Sequence, residues 1–282
     1  MDLYRTAEEL RELLDGERAR GRHVGMVGTS GGMHEGHLSL IRRAAADNDV
    51  TALYWGGGPA SLPWQSSTIA YTRDAEHDFP LAQAAGCDIL FAPPSQEMFP
   101  REPMTSVSLP AMSTGLPQLE DTAHLDLIAL AMCKLWNMFG ACRVYFGEKD
   151  WQQLVMFQRL AEDLAYPVEV IGCPTVREGD GVAVSSRNAQ LSPEQRAVAP
   201  VLYRALGASR DAAVAGARTT AQLEKVFREV FDDRDCIRYF AAVAADTMAP
   251  LEELRGAVRL LASIELGPVR LLDNVGIEIP ER

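Results

Sequence analysis

Apolar residues in this chain fall into short continuous runs separated by longer amphipathic stretches, and the two alternate through most of its length. Thr6-Ala-Glu-Glu9 has the spacing of a capping box, so a helix is expected from there to Arg20, closed by Gly21. Strands are expected at 23–27, 50–55, 87–92, 143–146 and 168–172, each a continuous apolar run of the kind buried on both faces of a sheet. Between them the pattern predicts helices over 34–46, 72–85 (ended by Gly86) and 127–139, and a further helix after Asp150. Strands alternating with helices imply a mostly parallel sheet with right-handed crossovers. From about residue 177 the pattern changes. Ser192-Pro-Glu-Gln195 caps a helix running toward 208, another lies near 220–231, and short strands appear at 237–244, 258–264 and 269–272. This predicts an α/β domain over 1–176 and a smaller α+β domain over 177–282.

The bulk numbers narrow the class. A length of 282 residues, 47% hydrophobic and 23% charged, fits a globular protein with a large core. The formal net charge of −12 argues against nucleic acid and anionic membranes as partners, since both select basic surfaces. Five cysteines at 87, 133, 142, 173 and 236 have neither metal-site nor disulfide-framework spacing, which suits a reducing compartment. No apolar signal core opens the chain and no apolar run has membrane-spanning length, so the expected location is the cytoplasm.

The richest segment is Gly28-Thr-Ser-Gly-Gly-Met-His-Glu-Gly-His37, between a strand and a helix. A helix N-terminus presents backbone N–H groups and the positive end of the dipole, which favour an anion. His34 and His37, three apart, are expected to share one face of the first turn and to offer two imidazole donors to nucleotide phosphates. Alone, such a turn is common in α/β proteins. Two later segments add to it. Phe146-Gly-Glu-Lys-Asp150 sits at the C-terminal end of a predicted strand, where open sheets place ligand residues. Lys149 could neutralise phosphate charge there and Asp150 could accept from a ribose hydroxyl. Ser185-Ser-Arg-Asn188 sets two hydroxyls beside a guanidinium that can bind two phosphate oxygens at once.

In this order, HEGH, FGEKD and SSRN, together with Thr175-Val-Arg-Glu178 and the closing Arg270-Leu-Leu-Asp-Asn274, resemble the pantothenate synthetase family over essentially the whole chain. The resemblance implies a Rossmann-like parallel sheet of the HxGH nucleotidylyltransferase type with a C-terminal lid. It implies an ATP- and Mg2+-dependent ligase that makes an acyl-adenylate from a carboxylic acid and passes the acyl group to an amine. On that basis His34, His37, Lys149, Arg187, Ser185 and Ser186 are catalytic. Thr29, Ser30, Gly31, Phe146, Gly147, Asp150, Val176 and Val184 join His37, Lys149, Ser185, Ser186 and Arg187 around ATP. Gly58, Ser61, Tyr71, Asp121, His124 and Gln153 fall at substrate positions, Mg2+ arrives on ATP rather than on a protein site, and the assembly is a homodimer.

Departures cluster in the acid and amine half. Where the family has Pro-Thr-Met-Gly, this chain has Gly28-Thr-Ser-Gly31. Where the family supplies an Asn and a Gln to the pantoate pocket, Gly58 and Ser61 stand. An arginine has become Asp121. A pocket that loses amides loses discrimination for a polar acid, and a carboxylate would repel an anionic amine. The expectation is therefore that adenylation persists while the substrates differ from pantoate and β-alanine. Two other readings stay open: nucleotidyl transfer to a phosphate, and a non-catalytic nucleotide-binding relative.

Overall fold

The computed structural model describes residues 1–56, 73–110, 122–231 and 235–280 and, in the helix that opens at Thr122, side chains from Leu125 onward. The expected substrate positions Gly58, Ser61, Tyr71 and Asp121 lie outside the described residues, as does the side chain of His124. Contacts divide the chain into two compact units. The first comprises the described residues of Met1–Leu109, Asp121–Glu148 and Met156–Pro174; the second contains Lys149–Val155 and the described chain from Thr175 onward.

The first unit is built on six parallel strands: β1 (Asp2–Tyr4), β2 (Val24–Thr29), β3 (Val50–Trp55), β4 (Ile89–Phe91), β5 (Cys142–Gly147) and β6 (Val168–Cys173). Their order is β1-β4-β3-β2-β5-β6. β3, Val-Thr-Ala-Leu-Tyr-Trp, is buried at every position, as an interior parallel strand must be. From β2 the chain moves one way to β3 and β4, then returns to the other side for β5 and β6. The switch point therefore lies between the adjacent strands β2 and β5, and ligands of open α/β sheets gather at the C-terminal ends of such strands.

The helices of this unit follow their caps. In α1 (Ala7–Ala19) Thr6 Oγ1 accepts from Glu9 N at 3.3 Å while Thr6 N donates to Glu9 Oε2 at 3.2 Å, which is the reciprocal pair its sequence requires. α2 (Glu35–Asp47) buries Leu40, Ile41 and Ala44 against Val27, Leu53 and Tyr145. α3 (Ala75–Ala84) begins behind Asp74, whose carboxylate caps Glu76 N and His77 N. α4 (Ser95–Met98) is a single turn, and α5 (Thr122–Phe139) starts earlier than its apolar stretch suggests. β1 is not legible in the sequence, because three residues carry no period and only their register with β4 makes them a strand.

The second unit holds an antiparallel sheet of β7 (Ile237–Ala244), β8 (Gly256–Leu266) and β9 (Val269–Ile279), in that order. Gly267 at φ +59 supplies the positive φ needed at the first position of the two-residue turn joining β8 to β9. The helix expected toward 208 is two, α7 (Pro193–Val198) and α8 (Pro200–Val214), because Pro200 lacks the N–H that would carry the first onward. α9 (Thr220–Glu229) has a further capping box, Thr219 with Gln222. β9 extends far past 272, so Asp273 and Asn274 lie inside a strand, paired with Ala262 and Leu261, rather than at a closing turn. α6 (Trp151–Asp163) completes the helices described.

One buried carboxylate holds the loop after β2 in shape. Asp78, on α3, has no solvent exposure. It accepts from Gly32 N at 3.0 Å, Met33 N at 2.9 Å and Trp55 Nε1 at 2.8 Å, with His77 Nδ1 at 3.0 Å. Burial pushes its carboxyl upward, but the donors from Trp55, His77, Met33 and Gly32 outweigh that and hold it below the usual aspartate value. A depressed carboxyl stabilises the fold fully above its unfolded value near ~4 and loses that contribution as pH falls through the folded value. Asp78→Asn turns one acceptor into a donor that faces N–H groups, and should cost about 2–4 kcal/mol at pH 7. Urea unfolding across pH checks this: the gap between wild type and variant should close as pH falls below about 4. A gap that is absent at neutral pH, or constant down to acid pH, would show that the carboxylate does not hold the loop.

Candidate active site

The glycine-rich turn of the first unit departs from its expected form in one respect. His34 is not in the first turn of α2 but is its N-cap, with extended backbone (φ −140, ψ 174), and its side chain makes no capping hydrogen bond. Helical bonding begins with Leu38 N donating to His34 O at 3.1 Å. His37 is then the third helical residue, and the two rings stack with centroids 4.1 Å apart and planes at 24°. The imidazoles are together as expected, by stacking across the cap rather than by sharing a helical face.

Three small features make room for that stack. Gly31 (φ +101) and Gly32 (φ +64) take left-handed backbone that bends the chain back from β2. Thr29, buried at the end of β2, accepts from Gly31 N at 3.2 Å and lies 3.4 Å from His37 Nε2. Gly36 has no such backbone need, but a Cβ there would sit 2.9 Å from His34 Cε1 and 3.0 Å from Nδ1. The backbone amides of Gly31, Gly32 and Met33 are consumed by Thr29 and Asp78, so these three are not the anion donors that the glycine-rich sequence suggests. Ser30 is half-buried between them.

Phe146 and Gly147 end β5, and the Phe146 ring packs on Phe157 with centroids 4.4 Å apart. The first unit thus contributes the stacked histidines at the end of β2 and this aromatic-backed strand end.

The second unit gathers the cations. Lys149 and the exposed Asp150 lie in a 3₁₀ turn, 148–150. Ser186 and Arg187 lie in another, 186–190, capped by Ser185, whose Oγ accepts from Arg187 N at 3.3 Å. Lys149, Ser185, Arg187, Arg270 and Asp273 line one small cavity. Burial pushes the Lys149 ammonium below the ordinary lysine value; Asp150 and Asp273 pull it up, while Arg187 and Arg177 push it further down. Val176 and Val184 sit half-buried on paired backbone, with Val184 N donating to Val176 O at 3.0 Å. Gln153 is half-buried on α6. Cations collected in a partly desolvated concavity suit a polyanion, because each gains more from negative charge there than in water.

Several residues around these groups escape the sequence reading. Asp78 and Asp273 are ordinary acidic residues by pattern, and their partners lie 45 and 96 positions away. The burial of a carboxylate is a tertiary fact with no local signature. Among the described residues no group of three or more His, Cys, Asp or Glu could hold a metal ion, and no helix is long and apolar enough to cross a membrane.

The family model described as pantoate-beta-alanine ligase matches residues 2–276. The chain is 48% identical to pantothenate synthetase 1 of Frankia alni, covering 96% of this chain and 97% of that one. It is 38% identical to pantothenate synthetase of Moorella thermoacetica over 99% of both. The crystal structure of pantothenate synthetase from Thermus thermophilus superposes with a TM-score of 0.87 at 37% identity, covering 98% of this chain and 99% of that one. A pantoate-beta-alanine ligase from Francisella tularensis, solved with beta-gamma ATP and beta-alanine, shares the fold at 21% identity and a TM-score of 0.75. With a family model matched over residues 2–276 and a parallel sheet and smaller antiparallel sheet like those of its solved relatives, the chain belongs to the pantoate-beta-alanine ligase family of ATP-dependent ligases.

Proposed function

We propose that the chain joins a carboxylic acid to an amine through an acyl-adenylate, and that the pair is pantoate and β-alanine. The carboxylate oxygen attacks the α-phosphorus of ATP and pyrophosphate leaves. The amine nitrogen then attacks the acyl carbon, AMP leaves, and the amine gives up a proton. The single observation that carries this is the stacked His34–His37 pair at the N-terminus of α2, a pair of imidazole donors at a helix end that favours an anion. Lys149 and Arg187, with Ser185 and Ser186, supply charge and hydroxyls for the other phosphates. Gly147 and Asp150 take the ribose, and Thr29, Ser30, Gly31, Phe146, Val176 and Val184 frame the nucleotide. Mg2+ comes on the triphosphate, whose oxygens are the hard ligands it prefers. Residues 177–282 serve as the lid that keeps water from a hydrolysable intermediate, and the enzyme works as a homodimer.

The names of relatives at 48% and 38% identity favour pantoate and β-alanine over the altered pair expected from the sequence. Gly58, Ser61 and Asp121, which raise that expectation, lie outside the described residues, and His124 and Gln153 remain candidate substrate contacts. Pantoate and β-alanine should be turned over by Mg-ATP more efficiently than other acid–amine pairs in a pyrophosphate-release assay. Preference for a different pair would restore the altered-pocket expectation.

His34→Ala or His37→Ala should slow adenylate formation by ~10²–10³, the loss expected when one preorganised donor is removed. Gly36→Ala should lower it in the same direction while leaving the fold intact, because its methyl group displaces the His34 ring. Wild-type pyrophosphate release from both histidine variants would refute the phosphate-site assignment.

Lys149→Ala should reduce kcat more than it raises the KM for ATP, since a cation aimed at the transferring phosphoryl group acts chiefly in the transition state. An unchanged kcat with a raised KM would make Lys149 a ground-state contact.

A further inference from the structure

The dipeptide Asp273-Asn274, inside β9, is not used by the reaction as described, yet Asn274 bonds the Lys149 backbone and Asp273 lines the same cavity as Lys149. Asn274 Nδ2 donates to the backbone carbonyl of Lys149 at 2.8 Å. Its Oδ1 accepts from Arg259 Nε at 2.5 Å, and the Arg259 guanidinium lies 3.6 Å over the Trp151 ring. Trp151 Nε1 in turn donates to Ala245 O at 3.0 Å. Lys149 and Trp151 are therefore both held by residues in or next to the small sheet.

Asp273 is the charged half of the device. Only 4% exposed, it forms a two-pronged pair with Arg177, Nη1 to Oδ2 at 2.6 Å and Nη2 to Oδ1 at 2.9 Å, and accepts from Asn274 N at 2.8 Å. Arg177 is itself fixed by Gly181 O at 3.1 Å and by the Tyr203 ring 3.7 Å beneath its guanidinium. A buried ion pair of this kind does little for stability beyond what an apolar pair would. Its Asp273 end lies on the wall of the cavity that Lys149 and Arg187 also line.

We propose that Asp273, Asn274 and Arg177 are positioning residues for Lys149: Asn274 fixes the main chain of its turn, and the Asp273–Arg177 pair sets the charge its ammonium faces. The inference rests on the reading of Lys149 as a cation for the transferring phosphate. The charged groups around that ammonium are Asp150 on its own turn, Arg187 on the 186–190 turn, Arg177 before Gly181, and Asp273 on β9, with Arg270 on the same cavity wall. Asp273 favours the protonated amine and Arg177 opposes it.

The two members should therefore move the lysine in opposite directions. Competitive acetylation of Lys149 across pH, read by mass spectrometry, reports its titration without relying on turnover. Asp273→Asn should lower the midpoint by about half to one pH unit, and Arg177→Gln should raise it by a similar amount. The alkaline limb of pyrophosphate release should follow each. Midpoints that stay put, or that move the same way in both variants, would overturn the proposal. Should Asp273→Asn fail to fold, Arg177→Gln alone still requires an upward shift. Asn274→Ala should lower kcat about tenfold with little change in the KM for ATP, the pattern of a misplaced catalytic group; an unchanged kcat would overturn its positioning role. Lys149→Ala separates the two levels. Wild-type activity in that variant defeats the functional reading, whereas a crippled variant with immobile midpoints defeats only this inference.

Discussion

The geometry at the end of β2 depends on one buried anion. A glycine-rich turn is by itself the least determined kind of backbone, since glycine loses the most conformational freedom on ordering. Asp78 removes that freedom by taking the N–H groups of Gly32 and Met33 and the Trp55 indole at once. It thereby ties α3 and the end of β3 to the turn that leads into α2. The same bonds decide which donors remain for a ligand. Amides before the helix are spent internally, and the imidazoles of His34 and His37 stand at its start. The buried carboxylate sits close to a proposed phosphate site without spoiling it, because four donors already answer its charge.

The second unit solves the opposite problem, holding cations near one another. Lys149, Arg187 and Arg270 line one small cavity and Arg177 acts on Lys149 from nearby, so these cations would repel if nothing intervened. Asp273 answers Arg177 with both oxygens, the face of the Tyr203 ring attracts that guanidinium, and Ser263 Oγ accepts from Arg270 Nε at 3.1 Å. The bonds named here are each made within one compact unit.

Much of this is readable in the chain. The capping boxes at Thr6 and Ser192 and the buried run of β3 follow from local rules, because capping and burial periodicity act over a few residues. The glycine turn, FGEKD and SSRN stand out in the sequence because each sets its polar groups within a few residues of one another. The errors have physical causes as well. Spacing alone puts His34 inside α2, because it does not say where a helix starts when the cap is an imidazole. The break at Pro200 and the length of β9 depend on which of two acceptable continuations the tertiary packing selects. Asp78 has no signature, and Asp273 and Asn274, though in a segment that carries the resemblance, show no sign of their contacts, since a polar residue is buried by partners far away in the chain. The altered substrates expected from Gly58, Ser61 and Asp121 rest on ungapped register in a segment outside the described residues, and whole-chain similarity to pantothenate synthetases weighs the other way.

The central claim is that the acid is activated by bonding to the α-phosphorus of ATP. Oxygen tracing tests it most directly. With pantoate labelled by ¹⁸O in both carboxylate oxygens, one label must stay in the amide and the other must leave bonded to phosphorus. The account predicts that AMP carries one ¹⁸O and that pyrophosphate carries none. Label in inorganic phosphate, with ADP as the nucleotide product, would mean an acyl-phosphate route and would contradict it.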